Sequence, residues 1–185
     1  MPIFTTAGKS DFEKDVLQLM CEETKNILLI IDMQKGFIND DLEELVRKIK
    51  HHIEDRGSEY YKIIFTKYVN DGINTNFKNR LNYTGMCGGE DIEIVDELRD
   101  LSKSCLVCTK NTYSALKNDV LRELVTSNRV NLHICGVDFD ACILATAFEA
   151  FDLGLEFTLL KNLIGTSATN KNMDLISLVK RNIGE

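Results

Sequence analysis

The stretch Asn26-Ile27-Leu28-Leu29-Ile30-Ile31-Asp32 decides how this chain folds. From Ile27 to Ile31 the run is apolar without a break, and it ends abruptly on a carboxylate. A strand with one wet face alternates apolar and polar residues, because successive side chains point to opposite faces; an unbroken run marks a strand covered on both. Four further runs rich in β-branched or apolar residues recur at 62–66, 105–109, 131–135 and 155–160. Helical patterns fill the intervals between them, so the connections read as crossovers and the sheet as mainly parallel.

Asp40 and Glu43 form a capping-box pattern ahead of Leu42, Leu45, Val46, Ile49 and Ile53, the stripe of an amphipathic crossover helix. Similar spacing appears in Ile94, Leu98 and Leu101, and in Leu121, Leu124 and Val125 after the candidate cap Asn118. Residues 142–153 are apolar nearly all round and stop at Gly154, a natural left-handed terminator, so this helix is expected to be the most enclosed. Ser10 and Glu13 open a helix that buries Phe12, Val16, Leu19 and Met20, an N-terminal extension at about 10–24. A last helix is expected at 173–183. The fold class is therefore α/β: a three-layer α/β/α, Rossmann-like arrangement around a mainly parallel sheet of about five to six strands.

Composition narrows the function. Hydrophobic residues make up 44% and charged residues 28%, ordinary globular usage, and no repeat or Pro-rich linker divides residues 1–185, which read as a single domain. Acidic residues outnumber basic ones by 29 to 22, a net charge of -7 and the wrong sign for gripping nucleic acid. No apolar run reaches the roughly 18 residues of a membrane span, and residues 1–10 lack the pattern of an export signal. The six cysteines (Cys21, Cys87, Cys105, Cys108, Cys135, Cys142) read as reduced thiols, and the expected location is the cytoplasm.

In open parallel sheets ligands bind beyond the carboxyl ends of the strands. Asp32 follows the first strand, Lys110 follows the third, and Gly136-Val137-Asp138-Phe139-Asp140-Ala141-Cys142 leads from the fourth into a helix. A thiol at a helix N-terminus is biased toward thiolate by exposed amides and the helix dipole. Lys110 would add to that bias, and Asp32 could take the thiol proton and deliver it to a leaving group. Each residue alone is as well explained as a cap or as core filler; three at adjacent strand ends point to an acid, base and nucleophile set.

The same residues carry a resemblance. Leu29-Ile30-Ile31-Asp32-Met33-Gln34-Lys35-Gly36-Phe37 resembles the opening Asp-x-Gln-x-x-Phe strand of isochorismatase-like cysteine hydrolases, the family of nicotinamidases and N-carbamoylsarcosine amidases. Lys110-Asn111-Thr112-Tyr113-Ser114-Ala115-Leu116 is similar to the family's lysine segment, and Cys135-Gly136-Val137 through Cys142-Ile143-Leu144-Ala145-Thr146-Ala147 to its nucleophile segment. The resemblance implies a catalytic triad of Asp32, Lys110 and Cys142 and hydrolysis of a small amide or ureide through a Cys thioester. It also implies a cis peptide between Val137 and Asp138 that aims the Asp138 and Cys142 amides at an oxyanion, and a homo-oligomer, dimer or tetramer. Where nicotinamidases carry an Asp-Trp-His type segment, this chain has Lys67-Tyr68-Val69-Asn70-Asp71, and its histidines (His51, His52, His133) lack zinc-ligand spacing, so neither metal nor cofactor is expected. Phe139 stands where the family often has Thr.

Gln34, Phe37, Tyr68, Tyr113 and Phe139 lie near strand ends or in connecting segments and are the expected substrate contacts. The Asn- and Gly-rich segment 68–90, long for a connection, is expected to roof the pocket. Competing readings are weaker. Cys105 and Cys108 lie three apart on a strand and point to opposite faces, and the Gly-x-Gly-x-x-Gly of a dinucleotide site is missing. His133 inside an apolar strand reads as a core residue rather than half of a Cys–His dyad. Two alternatives remain on the same fold: a vinyl ether hydrolase of the isochorismatase type, and a non-catalytic small-molecule binder.

Overall fold

The computed structural model describes residues 24–167. The helices expected at about 10–24 and at 173–183 lie outside these residues, as does Cys21. The described chain runs β1 (Lys25–Ile31), α1 (Glu43–Arg56), β2 (Lys62–Tyr68), α2 (Asn76–Leu81), α3 (Asp96–Ser102), β3 (Leu106–Lys110), α4 (Asp119–Thr126), β4 (Val130–Gly136), α5 (Leu144–Asp152) and β5 (Glu156–Ile164). The five strands form one parallel sheet in the order β3-β2-β1-β4-β5.

The unbroken run of β1 makes it the central strand. Ile27 to Ile31 are all fully buried, with Ile27, Leu29 and Ile31 facing α4 and α5 and Leu28 and Ile30 facing α1 and α3. Helices thus cover both faces, giving the three layers. The sheet order reverses direction between β1 and β4, and a crevice opens at their carboxyl ends because the connections leave to opposite faces there.

Three local readings are corrected. Asp40 and Glu43 make no capping box: Asp40–Leu42 form a short 3₁₀ turn running directly into α1, and neither terminus has a side-chain cap. Ile94 is not on α3; it pairs with Gln34 in an isolated antiparallel bridge that ties the loop after β1 to the chain before α3. The helix beginning at Cys142 is less enclosed than its composition suggests. It starts as a π-turn at Phe139–Ile143, and α5 buries only Thr146, Ala147 and Ala150 against the sheet, leaving Phe151 51% exposed. A helix that covers one sheet face has an outer side whatever its residues are. Asn118 does cap α4, accepting from the Leu121 amide, and Gly154 ends α5 with φ +68°. Cys105 and Cys108 join the cores on opposite faces.

Candidate active site

The register of β2 and β3 assembles the first part of the site. Thr66 pairs with Cys108 and Tyr68 with Lys110, so these side chains share one face. Asp32 joins them through its backbone. A continuing strand would send its side chain to the Leu28 and Ile30 face, but Asp32 has φ +53°, and this turn brings the carboxylate to Thr66 and Lys110. β4 closes the group at Gly136 (φ +112°), where any Cβ would lie 2.1 Å from the Ile31 carbonyl oxygen; Val137 then donates to that oxygen at 2.9 Å. The Val137–Asp138 peptide is cis, and the π-turn that follows carries Cys142 back over β1 and β3.

The result is a dry cluster. Lys110 Nζ donates to Asp32 Oδ2 at 2.6 Å, to Cys142 Sγ at 3.3 Å and to the Thr112 carbonyl at 3.0 Å, which uses all three ammonium protons. The second carboxylate oxygen, Asp32 Oδ1, accepts from the Thr66 hydroxyl at 2.7 Å. The Asp32 and Lys110 side chains are each 1% exposed, so the pair is strongly coupled. Burial alone would lower the Lys110 ammonium, but the Asp32 carboxylate and the hydrogen bonds to Asp32 and Cys142 outweigh this and hold it above its usual value.

Cys142 departs from the sequence expectation. Burial pushes its thiol up, the Asp32 charge pushes it further, and Lys110 recovers only part of the difference. Burial of the sulfur thus disfavours the thiolate by more than the Lys110 ammonium favours it.

Cys142 forms the floor of a cavity of about 220 Å³ walled by Phe37, Tyr68, Phe77, Leu81, Tyr83 and Tyr113 and flanked by Asp138 and Ala141. Of the expected substrate contacts, Phe37, Tyr68 and Tyr113 line it. Gln34 does not. It is fully buried, its amide nitrogen donates to the Tyr68 and Ile92 carbonyls at 2.9 Å each, and its oxygen accepts from the Tyr68 amide at 2.7 Å. A carboxamide so committed positions the end of β2 instead of meeting a ligand. Phe139 is also absent from the cavity wall; its amide bonds to the Gly165 carbonyl and its ring packs, partly buried, against the core on the α4 and α5 face. Asp138 accepts from the Ser167 amide at 2.5 Å and hydroxyl at 2.8 Å.

The domain described as the Isochorismatase domain matches residues 26–184, most of the chain and all of this site. The chain belongs to the isochorismatase family of hydrolases. Its fold is that of nicotinamidase PncA from Bacillus subtilis (TM-score 0.73, 19% identity over 87% of this chain and 97% of that one). N-carbamoylsarcosine amidase from Thermoplasma acidophilum is equally similar (0.74, 19%, 87% and 94%), as is the pyrazinamidase/nicotinamidase of Streptococcus mutans (0.74, 18%, 86% and 98%). No curated protein matches in sequence.

Within this isochorismatase-family chain, the segment after β2 is committed to structure. Asn70 donates to the Gly85 carbonyl, and Asp71 accepts from Asn111 and the Ile73 amide. His51 pairs with Asp55 on α1, and His52 and His133 share the Tyr60 hydroxyl. Among the described residues no group of three His, Cys, Asp or Glu is placed to hold a metal ion.

Sequence reasoning missed Thr66, Phe77, Leu81, Tyr83 and Ala141. Thr66 had a legible signal, a hydroxyl closing the apolar run of β2. The aromatic pair had a weaker one: Phe77 and Tyr83 stand out in the polar segment 68–90, which contributes a wall of the cavity through α2.

Proposed function

We propose that the chain is a cysteine-dependent hydrolase that cleaves a C–N bond of a small, uncharged amide or ureide through a Cys142 thioester. The observation that carries this is a thiol on the floor of an aromatic pocket, 3.3 Å from an ammonium that is itself 2.6 Å from a carboxylate. An ammonium and a carboxylate buried together do little for stability that apolar residues would not do. Beside a nucleophile they supply the two functions that amide cleavage needs.

Cys142 Sγ attacks the carbonyl carbon while Asp32 takes the thiol proton, so the thiolate forms only as it is consumed. Lys110 stays protonated and offsets the negative charge passing between sulfur and carboxylate. The oxyanion is received by the Asp138 and Cys142 amides; of the three amides between them, those of Phe139 and Ala141 already bond to carbonyl oxygens. As the C–N bond breaks, Asp32 returns the proton to the departing nitrogen, leaving the thioester. Water, deprotonated by Asp32, then attacks the thioester carbon and releases the acid, or a carbamate from a ureide, with the thiol restored.

A cavity of about 220 Å³ lies below the usual range for drug-sized ligands, which favours a substrate about the size of one ring. We place the enzyme in the cytoplasm, as a single domain over 1–185 that works as a dimer or tetramer.

The test is alkylation of the native protein with iodoacetamide at several pH values, mapped by mass spectrometry, followed by a screen of small amides and ureides for ammonia release. Substrate that slows labelling at Cys142 alone, with ammonia released, supports the reading. Hydrolysis that survives Cys142→Ala sinks the thioester.

A further inference from the structure

Lys110 and Cys142 come from strands that are not neighbours. Two strands separate β3, which ends on Lys110, from β4, which leads into the π-turn of Cys142, a span of roughly 14 Å at the usual strand spacing. Holding the sulfur 3.3 Å from the ammonium therefore depends on ties across the carboxyl ends of the strands. Thr146 supplies one. It is fully buried on α5, in the stretch that packs Ile143, Ala147 and Ala150 into the core, where valine would have the same shape. Its hydroxyl donates to the Cys142 carbonyl at 2.7 Å and accepts from the Ala115 amide at 3.0 Å. The first bond is the ordinary one of a helical threonine to the residue four positions back. The second reaches 31 positions back, to the turn that follows Lys110.

That turn is itself bonded in series. Lys110 Nζ donates to the Thr112 carbonyl at 3.0 Å, and the Thr112 hydroxyl donates to the carbonyl of Ser114, next to Ala115, at 2.9 Å. Together with the contact between Lys110 and Cys142, these bonds close a ring from ammonium to sulfur by way of Thr112, Ser114, Ala115 and Thr146. The ion pairs of Glu149 with Lys117 and Arg122 join the same segments from outside, but their cations are exposed and such pairs hold little.

We propose that Thr146 is a positioning residue whose hydroxyl ties the lysine-bearing turn to the nucleophile's turn and so sets the distance between Lys110 and Cys142. This rests on the hydrolase reading above and deepens it. Thr146 lies outside the cavity wall, so substrate binding does not depend on it. Attack and proton transfer do, because both are steep in the spacing of sulfur, ammonium and carboxylate.

The experiment compares Thr146→Val, which keeps the shape and loses both hydrogen bonds, with Thr146→Ser, which keeps the hydroxyl. Hydrolysis by Thr146→Val should lose about tenfold in kcat with KM within about twofold, and Thr146→Ser should recover most of it. The second readout needs no turnover. The factor by which Asp32→Asn changes iodoacetamide alkylation of Cys142 measures how closely the sulfur is held to the charged pair. That factor should shrink by about threefold or more in the Thr146→Val background and return with Thr146→Ser. A serine variant as impaired as the valine one, an unchanged factor, or a loss confined to KM would overturn the assignment. Should Thr146→Val fail to fold, Thr112→Val opens the same ring from a half-buried position; about a threefold fall in kcat is expected, and no fall overturns the proposal. If the wild type releases no ammonia from any amide or ureide while the alkylation pattern holds, the hydrolase reading falls and the tie stands; if hydrolysis is present and both valine variants leave it unchanged, only the role of Thr146 falls.

Discussion

Cys135 and Cys142 lie seven positions apart, are both buried, and both have thiols that burial pushes up, yet they sit in different chemistry. Cys135 is the last residue but one of β4, on the α1 and α3 face among Leu28, Ile30, Phe65 and Val137, and burial is the whole cause of its shift. Cys142 lies on the opposite face, where Asp32 and Lys110 act on it with opposite sign. Burial and thiol character therefore do not distinguish a reactive cysteine from a structural one; the charged pair beside it does. The cis Val137–Asp138 peptide and the π-turn lie between the two, and over this short stretch the chain passes from one face of the sheet to the other.

The sharpest way to break that contrast is to remove each sulfur in turn. Cys142→Ala should lower hydrolysis by at least about 10⁴-fold, as loss of a nucleophile does, while Cys135→Ala leaves kcat within about twofold. Equal effects on activity would erase the distinction. Next in size, Asp32→Asn should cost about 10²- to 10⁴-fold in hydrolysis, the share of a general acid and base. The same variant should speed alkylation of Cys142 at neutral pH, because the charge that holds the thiol up is gone. Opposite signs in the two assays separate proton transfer from mere thiol exposure, and a parallel fall in both would count against Asp32 as the base.

Stability tests the structural cysteine. Cys135→Ser buries a hydroxyl in an apolar pocket and should cost about 1–3 kcal/mol in denaturant unfolding, with kinetics unchanged. Its pH dependence has a definite sign. The Cys135 thiol is raised in the fold, so its contribution is complete below the unfolded thiol value of about 8.5 and is lost as pH rises above it. Cys135→Ala should remove from the alkaline limb of the stability curve up to about 1.4 kcal/mol per pH unit. The smallest expected effect is at Thr66. Thr66→Val deletes the hydrogen bond to Asp32 Oδ1 and should reduce hydrolysis about tenfold, equivalent to ~1.4 kcal/mol, without changing which cysteine is alkylated.

Much of this was legible in residue order because parallel sheets translate sequence into position simply. The unbroken run of β1 meant two covered faces, and the abrupt carboxylate at Asp32 marked a strand end where ligands gather. Lys110 and the segment leading to Cys142 were readable for the same reason, and the family match to residues 26–184 agrees with the quoted blocks. Gln34 and Phe139 show where such reading stops. Both sit in motif segments near the site, but whether a side chain faces a cavity or a backbone depends on the turn that carries it. Gln34 folded back onto Tyr68 and Ile92, and Phe139 packed against the core on the α4 and α5 face.

The sequence by itself determined the alternation of strand and helix, the covered faces of the sheet and the strand ends on which an acid, a lysine and a thiol would lie, since apolar periodicity and strand polarity are local properties of the chain. Only the tertiary structure decided the upward push on the Cys142 thiol, the aromatic wall contributed by α2 and the commitment of the Gln34 carboxamide to Tyr68 and Ile92. Desolvation, charge coupling and hydrogen-bond satisfaction are sums over neighbours distant in sequence, and no local pattern encodes them.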